Sequence, residues 1–460
     1  MNVEEFTFAN MINTDYYNPE RSKIINDNLN RWEKSFNYAK DLNINLRIAK
    51  DKLAEIKDKA TYNLEKLIFD FSEKFTNQGG EIYFAQNEKD VYEIISRLIK
   101  SYKIEKFAIS KSNIVDELEL REYFDKKSIP YVNTNIGDYL TRLNKKNSSH
   151  LVSSAIDLNL EDIHNLNIPN IKDITSLEET INIISNNINN EIKQNVNCTL
   201  SGANMLISET GSILLVENEG NIIKSKSYTK NHIVIAGIDK MIQNLNDLDL
   251  LLPMLSIYGS GEPLNTFSSI ISSPTKISNT ETQNLILILV NNNRTELLKD
   301  KKLREVFRCI GCGACTNVCP IYRQFGGNKY DNAYPSPIGC IKMPYIGGYK
   351  KYKHLLNVTS LCGKCTDICP VNIDLNNLFI NARHNLVERE INSIEYEKIY
   401  ERFYRKTIKR RSMNGANYKI KQWRLERILA KRWGMYRKLP HFAKSSFSKQ
   451  YTELHNKSEK

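Results

Sequence analysis

The chain has 460 residues, of which 41% are hydrophobic, so it is long enough for two or three domains and too apolar to be disordered throughout. Its net charge of +12 resides in the C-terminal tail, because residues 401–460 hold 18 Lys and Arg but only 4 Asp and Glu. The first ten residues are polar and acidic, unlike a signal peptide, and apolar runs such as residues 285–290 are far too short to span a bilayer. We therefore expect a soluble protein of the reducing cytoplasm, where thiolates stay available as metal ligands.

The N-terminal part has a helical pattern. Residues 32–75 carry an apolar stripe at spacings of three and four, and Gly79-Gly80 is a plausible end to this helix. The stripe consists of Leu53, Ile56, Ala60, Leu64, Leu67 and Phe71. We assign residues 1–50 to an N-terminal helical segment.

Strand and helix patterns then alternate, which is typical of a mainly parallel sheet covered by helices. Helices are predicted at residues 91–100 and 114–125, whereas the Asn-rich residues 165–197 favour neither state. The predicted strands are residues 82–85, 107–110, 131–132, 213–216, 232–236 and 285–290. An α/β domain over residues 51–298 follows from this pattern.

Seven of the nine cysteines form two short motifs. The first is Cys309-x2-Cys312-x2-Cys315-x3-Cys319-Pro320. This is the spacing of bacterial ferredoxins, in which two-residue gaps let one tight loop present three thiolates to one cluster. Gly311 and Gly313 fill those gaps, where unusual backbone angles are needed. A structural zinc site would normally pair two Cys-x2-Cys hooks across a longer loop, so the spacing favours iron–sulfur clusters over zinc.

The second motif is shorter. It reads Cys362-x2-Cys365-x3-Cys369-Pro370. Aligned on the first motif, its leading position is Thr359. In two-cluster ferredoxins the fourth cysteine of each motif ligates the other cluster. This crossed pattern predicts Cys309, Cys312, Cys315 and Cys369 as the ligands of cluster 1. It leaves cluster 2 with Cys319, Cys362 and Cys365.

Cluster 2 is therefore one thiolate short, and three outcomes are open. It could be a three-iron cluster, a four-iron cluster with an exchangeable or non-cysteine fourth ligand, or a four-iron cluster that recruits Cys340 from the loop between the motifs. A small buried residue is the simpler interpretation of Cys340, and also of Cys198 far upstream.

Taken in order, these motifs and several upstream segments resemble the lactate-utilisation protein B family, the iron–sulfur subunits of bacterial L-lactate oxidation. In the cysteine region the similar segments are residues 308–327, 334–339, 360–365 and 369–371. Upstream, the segments Lys111-Ser112, Ser149-His150, Ser201-Gly202-Ala203-Asn204, Glu209-Thr210-Gly211, Asn218-Glu219-Gly220-Asn221 and His232-Ile233 resemble that family's LUD domain. The resemblance covers nearly the whole chain.

The resemblance implies a fold, a cofactor and partners. The LUD domain is expected to be similar to ribose-5-phosphate isomerases and CoA transferases, followed by an α-helical two-cluster ferredoxin-type domain over residues 299–392 and a basic helical segment over 393–460. The protein is expected to relay electrons through two [4Fe-4S] clusters, with two partner subunits, as L-lactate is oxidised to pyruvate. The short second motif and a small residue at position 340 are usual in the family, which favours a non-cysteine fourth ligand for cluster 2.

The sequence also departs from the family. Where relatives read Glu-Thr-Asp-Leu-Gly-Glu, this chain has Asn133-Thr134-Asn135-Ile136-Gly137-Asp138, with two carboxylates fewer. Where they usually have Ala-Ile-His, it has Ala155-Ile156-Asp157. These changes argue against the alternative that the LUD domain is a self-contained oxidoreductase. We assign no catalytic residue, and we interpret Glu209-Thr210-Gly211 as a turn and both His150 and His232 as structural.

The basic tail has interleaved aromatic residues and predicted breaks at Gly415 and Gly434. The aromatic residues are Tyr404, Tyr418, Trp423, Trp433 and Tyr436. Docking to a partner subunit is the favoured interpretation, and peripheral contact with the anionic inner face of the membrane also fits. A nucleic-acid-binding regulator is the least favoured alternative.

Overall fold

In a computed structural model, residues 18–383 form one compact unit that contains both the α/β part and the cysteine motifs, and residues from 384 onward belong to a second unit. The structure describes residues 18–42, 45–144, 148–166, 168–169, 171, 174, 176–276 and 281–388, and in the tail 401, 404–405, 408–409, 417–429, 439 and 441–458. No helix in these ranges is long and apolar enough to cross a membrane. The domain boundaries at residues 50, 298 and 392 stay predictions.

Three helices precede the first strand, so the prediction of one helix over residues 32–75 is wrong. They are α1 (Pro19–Asp41), α2 (Leu46–Tyr62) and α3 (Leu64–Asn77). Asn63, with φ −104° and ψ 18°, separates the last two helices, and its side-chain amide donates a hydrogen bond to the Lys59 carbonyl at 2.9 Å. The apolar stripe nevertheless faces the core, with Ile56 only partly buried. Its fully buried members are Leu53, Ala60, Leu64, Leu67 and Phe71.

The strands of the described residues form two sheets. In chain order they are β1 (Glu81–Ala85), β2 (Phe107–Ile109), β3 (Tyr131–Asn133), β4 (Cys198–Gly202), β5 (Met205–Ile207), β6 (Ser212–Glu217), β7 (Asn231–Gly237), β8 (Met241–Ile242), β9 (Phe267–Ile271) and β10 (Asn284–Val290). The larger sheet has the order β1-β10-β7-β4-β2-β3 and is parallel throughout, as the alternating pattern predicts. Strand β10, between the edge strand β1 and β7, is buried on both faces.

Helices cover the parallel sheet on both faces. After the first three they are α4 (Glu88–Ser101), α5 (Asn113–Glu117), α6 (Leu120–Lys127), α7 (Ile136–Leu143), α8 (Leu160–His164), α9 (Leu177–Asn195), α10 (Asn221–Tyr228), α11 (Leu248–Gly259) and α12 (Arg294–Lys299). Phe107 and Ile109 pack into one apolar core with α4, α5 and α6, whereas Ala108 packs into the opposite core with α7 and α9. This alternation along β2 is what a strand buried on both faces requires.

The smaller sheet was not foreseen. Its order is β8-β5-β6-β9, with β6 antiparallel to both β5 and β9. The predicted strand at residues 213–216 belongs here rather than to the parallel sheet. The other three strands are missing from the prediction because they are short, or, in β9, largely solvent-facing, and so carry little periodic signal.

The Asn-rich stretch contains α9. Ser176 begins this helix by accepting a hydrogen bond from the N–H of Glu179, and Ile184, Ile188 and Ile192 bury one face at a spacing of four. The helix was not predicted because the stretch is rich in asparagine, which has a low helix propensity, although the isoleucine stripe is present in the sequence.

The cysteine region is built from short helices. They are α13 (Ala314–Asn317), α14 (Pro320–Phe325), α15 (Pro337–Ile346), α16 (Tyr349–Tyr352), α17 (Lys364–Ile368) and α18 (Leu375–Glu388), with 3-10 turns at Arg304–Arg308, Gly327–Tyr330 and Lys353–Asn357. Further 3-10 turns lie at Ile238–Lys240 and Leu245–Asp247. In the tail, α19 (Tyr418–Leu429) and α20 (Phe447–Ser458) agree with a segment that is helical in pieces. The predicted breaks at Gly415 and Gly434 lie outside the described residues.

The segment that departs from the family pattern has a structural role. The Arg121 guanidinium is buried and donates to the Asn133 side chain at 2.8 Å, to Asp116 at 2.6 Å and to Asp138. Asn135 caps α7 by accepting from the N–H of Asp138 at 3.0 Å. These residues therefore fix the carboxyl ends of β2 and β3.

We predict that Arg121→Met lowers the free energy of unfolding by about 3–5 kcal/mol, because the buried Asp138 would lose its paired cation and Asp116 would keep only Arg142, at 2.9 Å. The measurement is urea denaturation of the anaerobically purified chain. In the control, Lys230→Met breaks an exposed pair with Glu281 and should cost less than about 1 kcal/mol. Equal effects of the two substitutions would contradict the assignment.

Candidate iron–sulfur centres

Four of the predicted ligands surround one cavity. Cys309, Cys312 and Cys315 from the first motif line it together with Cys369 from the second. The rest of the wall is largely apolar: Leu151, Ile310, Gly313, Ile338, Pro370, Val371, Ile373 and Leu375. The structure thus brings together the four thiols that crossed ligation assigns to cluster 1, in surroundings that shield them from water.

The two motifs repeat the same local geometry. Gly313 begins α13 at φ 82°, and Gly363 begins α17 at φ 84°, a region in which only glycine is unstrained. One turn later, the N–H of Cys319 bonds to Thr316 and that of Cys369 bonds to Thr366. Each motif therefore ends by turning its last cysteine away from its own loop, as crossed ligation requires.

Backbone N–H groups point at the thiols. Cys312 accepts from Ala314, Cys319 from Ile321 and Tyr322, and Cys369 from Val371 and Ile373. Cys315 accepts from Ile338, in the first turn of α15. Such donors stabilise thiolate charge, so this backbone suits sulfur ligands of an anionic cluster.

Burial controls the protonation of the thiols. It raises the pKa of Cys369 to about 11 and that of Cys365 to about 12, and it also raises the pKa of Cys312 and that of Cys315. Cys362 differs because it is exposed: slight burial opposes ionisation, but hydrogen bonds from the Lys364 backbone and the Ser360 side chain hold its pKa below the usual value. Metal ligands must be deprotonated, so cluster assembly should release protons.

The remaining predicted ligands form a second group. Cys319, Cys362 and Cys365 lie close enough to interact electrostatically. Negative charge on Cys362 raises the pKa of Cys319, and negative charge on Cys319 and Cys362 raises that of Cys365. Cys340, on α15, is completely buried, and its thiol lies near Cys319 and Cys365. Cys198 lies apart, in the apolar core beside β4.

Neither group is compact enough for a bare ion. Among the described residues, no three His, Cys, Asp or Glu side chains are arranged to hold a single metal ion. Zinc bonds to sulfur at about 2.3 Å and would draw its ligands tightly together. Thiols that line a cavity fit a larger cofactor better.

Sequence reasoning missed a set of charged residues next to cluster 1. Asp239 and Lys240 follow β7, and the Lys240 amino group lies 3.6 Å from the position that a Cβ on Gly311 would occupy. Lys57 donates to the Asp239 carbonyl at 3.0 Å, and burial lowers its pKa to about 8. Both lysines lie near enough to Cys309 that a negative charge on its thiolate would raise their pKa values. The hint in the sequence was that Asp239 and Lys240 follow a buried strand at its carboxyl end, where ligands of parallel sheets bind.

A buried charge network joins the sheet to the cysteine region. Arg294 makes two bonds of 2.7 Å to Glu117 and one of 2.5 Å to Asp239. From the cysteine region, Lys342 bonds to Asp239 at 3.1 Å and Tyr334 to Glu117 at 2.5 Å. Burial opposes ionisation of both carboxyl groups, but their cations prevail: Arg294 holds the pKa of Glu117 below its usual value, and Lys342 and Arg294 hold that of Asp239 well below it.

The two histidines are hydrogen-bonded and buried, as expected of structural groups. His150 bonds to Asn317 at 2.8 Å and lies against Gly313, and burial lowers its pKa to about 4. His232 bonds to Ser201 at 2.8 Å, and burial lowers its pKa to about 3. Both rings are neutral near pH 7.

The Glu209-Thr210-Gly211 segment forms a turn. Gly211 has φ 61°, and the Glu209 carboxylate accepts from the N–H of Leu245 at 2.7 Å. This carboxylate is thus used within the fold.

A polar cavity of about 240 Å³ lies between α5, α6 and the cysteine region. It is lined by Asp116, Glu119, Glu122, Arg142, Ser148, Asp331, Asn332, Ala333, Lys351 and Tyr352. Its four carboxyl groups face only two cationic side chains, so the cavity is poorly suited to an anionic substrate.

The fold and the cysteine geometry define an iron–sulfur protein with an α/β domain. The family model of the LUD domain matches residues 68–290, and that of the 4Fe-4S dicluster domain matches residues 305–373. The chain is 31% identical to the "Uncharacterized electron transport protein YkgF" of Escherichia coli (strain K12), over 74% of this chain and 72% of that one. It is 30% identical to the "Lactate utilization protein B" of Macrococcus caseolyticus, with the same coverage, and to that of Geobacillus thermodenitrificans, over 76% and 74%.

The chain belongs to the lactate utilization protein B family. It is also similar to a solved DUF162 family protein from Deinococcus radiodurans, at 13% identity over 50% of this chain and 98% of that one. The TM-score of 0.26 is too low for any conclusion.

We predict that Lys240→Met lowers the reduction potential of cluster 1 by roughly 40–90 mV. A nearby cation favours the reduced, more negative cluster by about 1–2 kcal/mol at an effective dielectric constant near 20. The measurement is a redox titration followed by electron paramagnetic resonance (EPR). Lys364→Met, at an exposed position beside Cys362, is the control and should leave cluster 1 unchanged. An unaltered cluster 1 in Lys240→Met would contradict the prediction.

The charge network predicts sensitivity to acid. Because the pKa values of Glu117 and Asp239 are depressed in the folded state, their stabilisation is complete above about pH 5 and is lost as the pH falls through the folded values. Glu117→Gln should lower the free energy of unfolding at pH 7 by about 3 kcal/mol and flatten its decline in acid. Glu296→Gln, in an exposed pair with Lys299, should do neither.

Proposed function

We propose that this protein is the electron-relay subunit of a multi-subunit system that oxidises L-lactate to pyruvate, and that it does not oxidise lactate alone. The observation that carries the proposal is the crossing of the motifs: Cys369 joins the first thiol group, and Cys319 joins the second. Helices α13 and α17 pack together, so the two groups are neighbours. When bound, each cluster passes one electron at a time, and two clusters match the two electrons that lactate releases.

The residues of this chain supply what a relay needs. At cluster 1 the apolar wall excludes water, and Lys240 with Lys57 places positive charge beside the first thiolate. At cluster 2 the exposed Cys362 brings the thiol group to the surface. We infer that electrons enter or leave there, because transfer between subunits needs a short path.

The α/β domain offers little for lactate chemistry. His150 and His232 are buried, hydrogen-bonded and neutral, and the polar cavity is rich in carboxyl groups. A general base that removes the lactate hydroxyl proton must face the substrate. This supports placing the oxidation step in a partner subunit.

The names of the relatives support the lactate assignment, and the family resemblance supports two partner subunits. We place the protein in the cytoplasm and propose that the basic tail docks to an acidic partner. The described tail helices α19 and α20 carry exposed aromatic residues among their basic ones, such as Trp423 and Tyr451. Deletion of residues 401–460 should then abolish capture of the partner subunits, and survival of both partner capture and lipid binding after the deletion would contradict this role.

The central prediction concerns the isolated chain. Purified anaerobically, it should contain iron and acid-labile sulfide and accept electrons from dithionite, yet show no turnover of L-lactate with an artificial acceptor. Adding the partner subunits should restore turnover, and Cys362→Ala should reduce the restored rate at least tenfold without weakening assembly. Cys198→Ala, which removes a thiol remote from both groups, is the matched control.

Robust lactate turnover by the single chain would instead support a self-contained LUD-domain oxidoreductase. Steeply salt-dependent DNA binding would support a nucleic-acid-binding regulator.

A further inference from the structure

The second thiol group lacks the cysteine that corresponds to the first cysteine of the first motif. Thr359 occupies the position that Cys309 has in the first motif. Its hydroxyl accepts a hydrogen bond from the N–H of Leu361 at 3.0 Å. A neutral hydroxyl that is used within its own loop is a weak candidate for an iron ligand. The fourth ligand must therefore come from elsewhere in the fold.

Helix α15 carries a cysteine, Cys340, whose thiol lies near the second thiol group. Ser336 caps the helix by accepting from Gly339, and Cys340 donates its N–H to the Ser336 carbonyl at 2.9 Å. A Cβ on Gly339 would lie 1.8 Å from the carbonyl oxygen of Tyr334. Helix α15 therefore packs closely against the backbone of the preceding loop. The Cys340 side chain is thereby held, completely buried, near Cys319 and Cys365.

A second buried group points to a cofactor at the same place. Tyr330 is only 2% exposed, and its hydroxyl has no nitrogen or oxygen partner among the described residues. The hydroxyl lies beside the Cys319 thiol and near Cys340. A buried hydroxyl with no oxygen or nitrogen acceptor is costly, and the thiolate of a cluster bound at Cys319 would be a stronger acceptor than the neutral thiol.

Helix α15 also serves the first thiol group. In its first turn, the N–H of Ile338 points at Cys315, and one turn further along is Cys340. One buried helix therefore reaches both groups from between the two motifs. An ordinary core cysteine would face apolar side chains instead, as Cys198 does.

We propose that Cys340 is the fourth ligand of cluster 2, which is then a [4Fe-4S] cluster held by Cys319, Cys340, Cys362 and Cys365. This assignment of a ligand adds detail to the proposed function. It rests on that function only because both require two clusters. Complete ligation leaves no iron with an exchangeable site, so cluster 2 is an electron carrier and holds its iron firmly.

The first experiment replaces the thiol in the full-length chain, purified under strictly anaerobic conditions. Cys340→Ala should lower the iron content from about eight to about seven per chain and produce a three-iron EPR signal as isolated. Cys198→Ala, which removes an equally buried thiol, should keep the wild-type iron content and spectrum. Two intact four-iron signals in Cys340→Ala, with wild-type iron content, would overturn the proposal.

A rescue variant separates ligation from packing. Thr359→Cys in the Cys340→Ala background places a thiol where the first motif has Cys309, and it should restore about eight irons and abolish the three-iron signal. If Cys340→Ala lost cluster 2 only because α15 no longer packed, this change would restore nothing. That result would count against ligation by Cys340.

The last experiment uses the wild-type chain and does not depend on folding of a variant. Mild ferricyanide removes one electron from a [4Fe-4S]²⁺ cluster with an open iron site, which then releases Fe²⁺ and leaves [3Fe-4S]⁺. We expect the wild-type chain to resist this conversion at both clusters. A three-iron EPR signal in the untreated wild-type chain, or its rapid appearance with ferricyanide, would overturn the proposal. Neither readout uses lactate, so failure here is distinct from failure of the relay function.

Discussion

The buried ion pairs of Arg294 are the contact on which the rest of this structure depends. Arg294 binds Glu117 and Asp239 at the carboxyl edge of the parallel sheet, and both carboxylates also receive a donor from the cysteine region. The same edge carries Lys240, which follows Asp239 and lies beside the loop of cluster 1. Removing one member would leave a buried charge without compensation, so the sheet and the cysteine region are held in one arrangement.

This arrangement fits the proposed role, in which the α/β domain supports electron transfer and a partner subunit carries out the oxidation. The carboxyl edge of a parallel sheet is the usual place for a substrate. Here the edge is occupied by the cysteine region and by positive charge near Cys309. The α/β domain thus places positive charge beside the first thiol group, whereas the second thiol group includes the exposed Cys362.

The two clusters also differ in their predictability. The spacing of the first motif grouped Cys309, Cys312 and Cys315, and the crossed ligation of two-cluster ferredoxins added Cys369. Cys340 could not be assigned in this way, since it lies on a helix outside both motifs and contacts them only through tertiary packing. Lys240 was overlooked for the same reason: its importance comes from its distance to Gly311 in space.

From the sequence alone, it was possible to predict the parallel sheet, the covering helices and the crossed thiol groups, since these follow from local periodicity or fixed spacing. The family was predicted from the resemblance of whole segments. The break at Asn63 and the mixed second sheet were not predicted, because the backbone angles of one residue and pairing between short strands decide them. Only the tertiary structure brought Cys340 and Tyr330 to the second thiol group. Contacts between distant segments depend on how whole elements pack, and local patterns do not encode that.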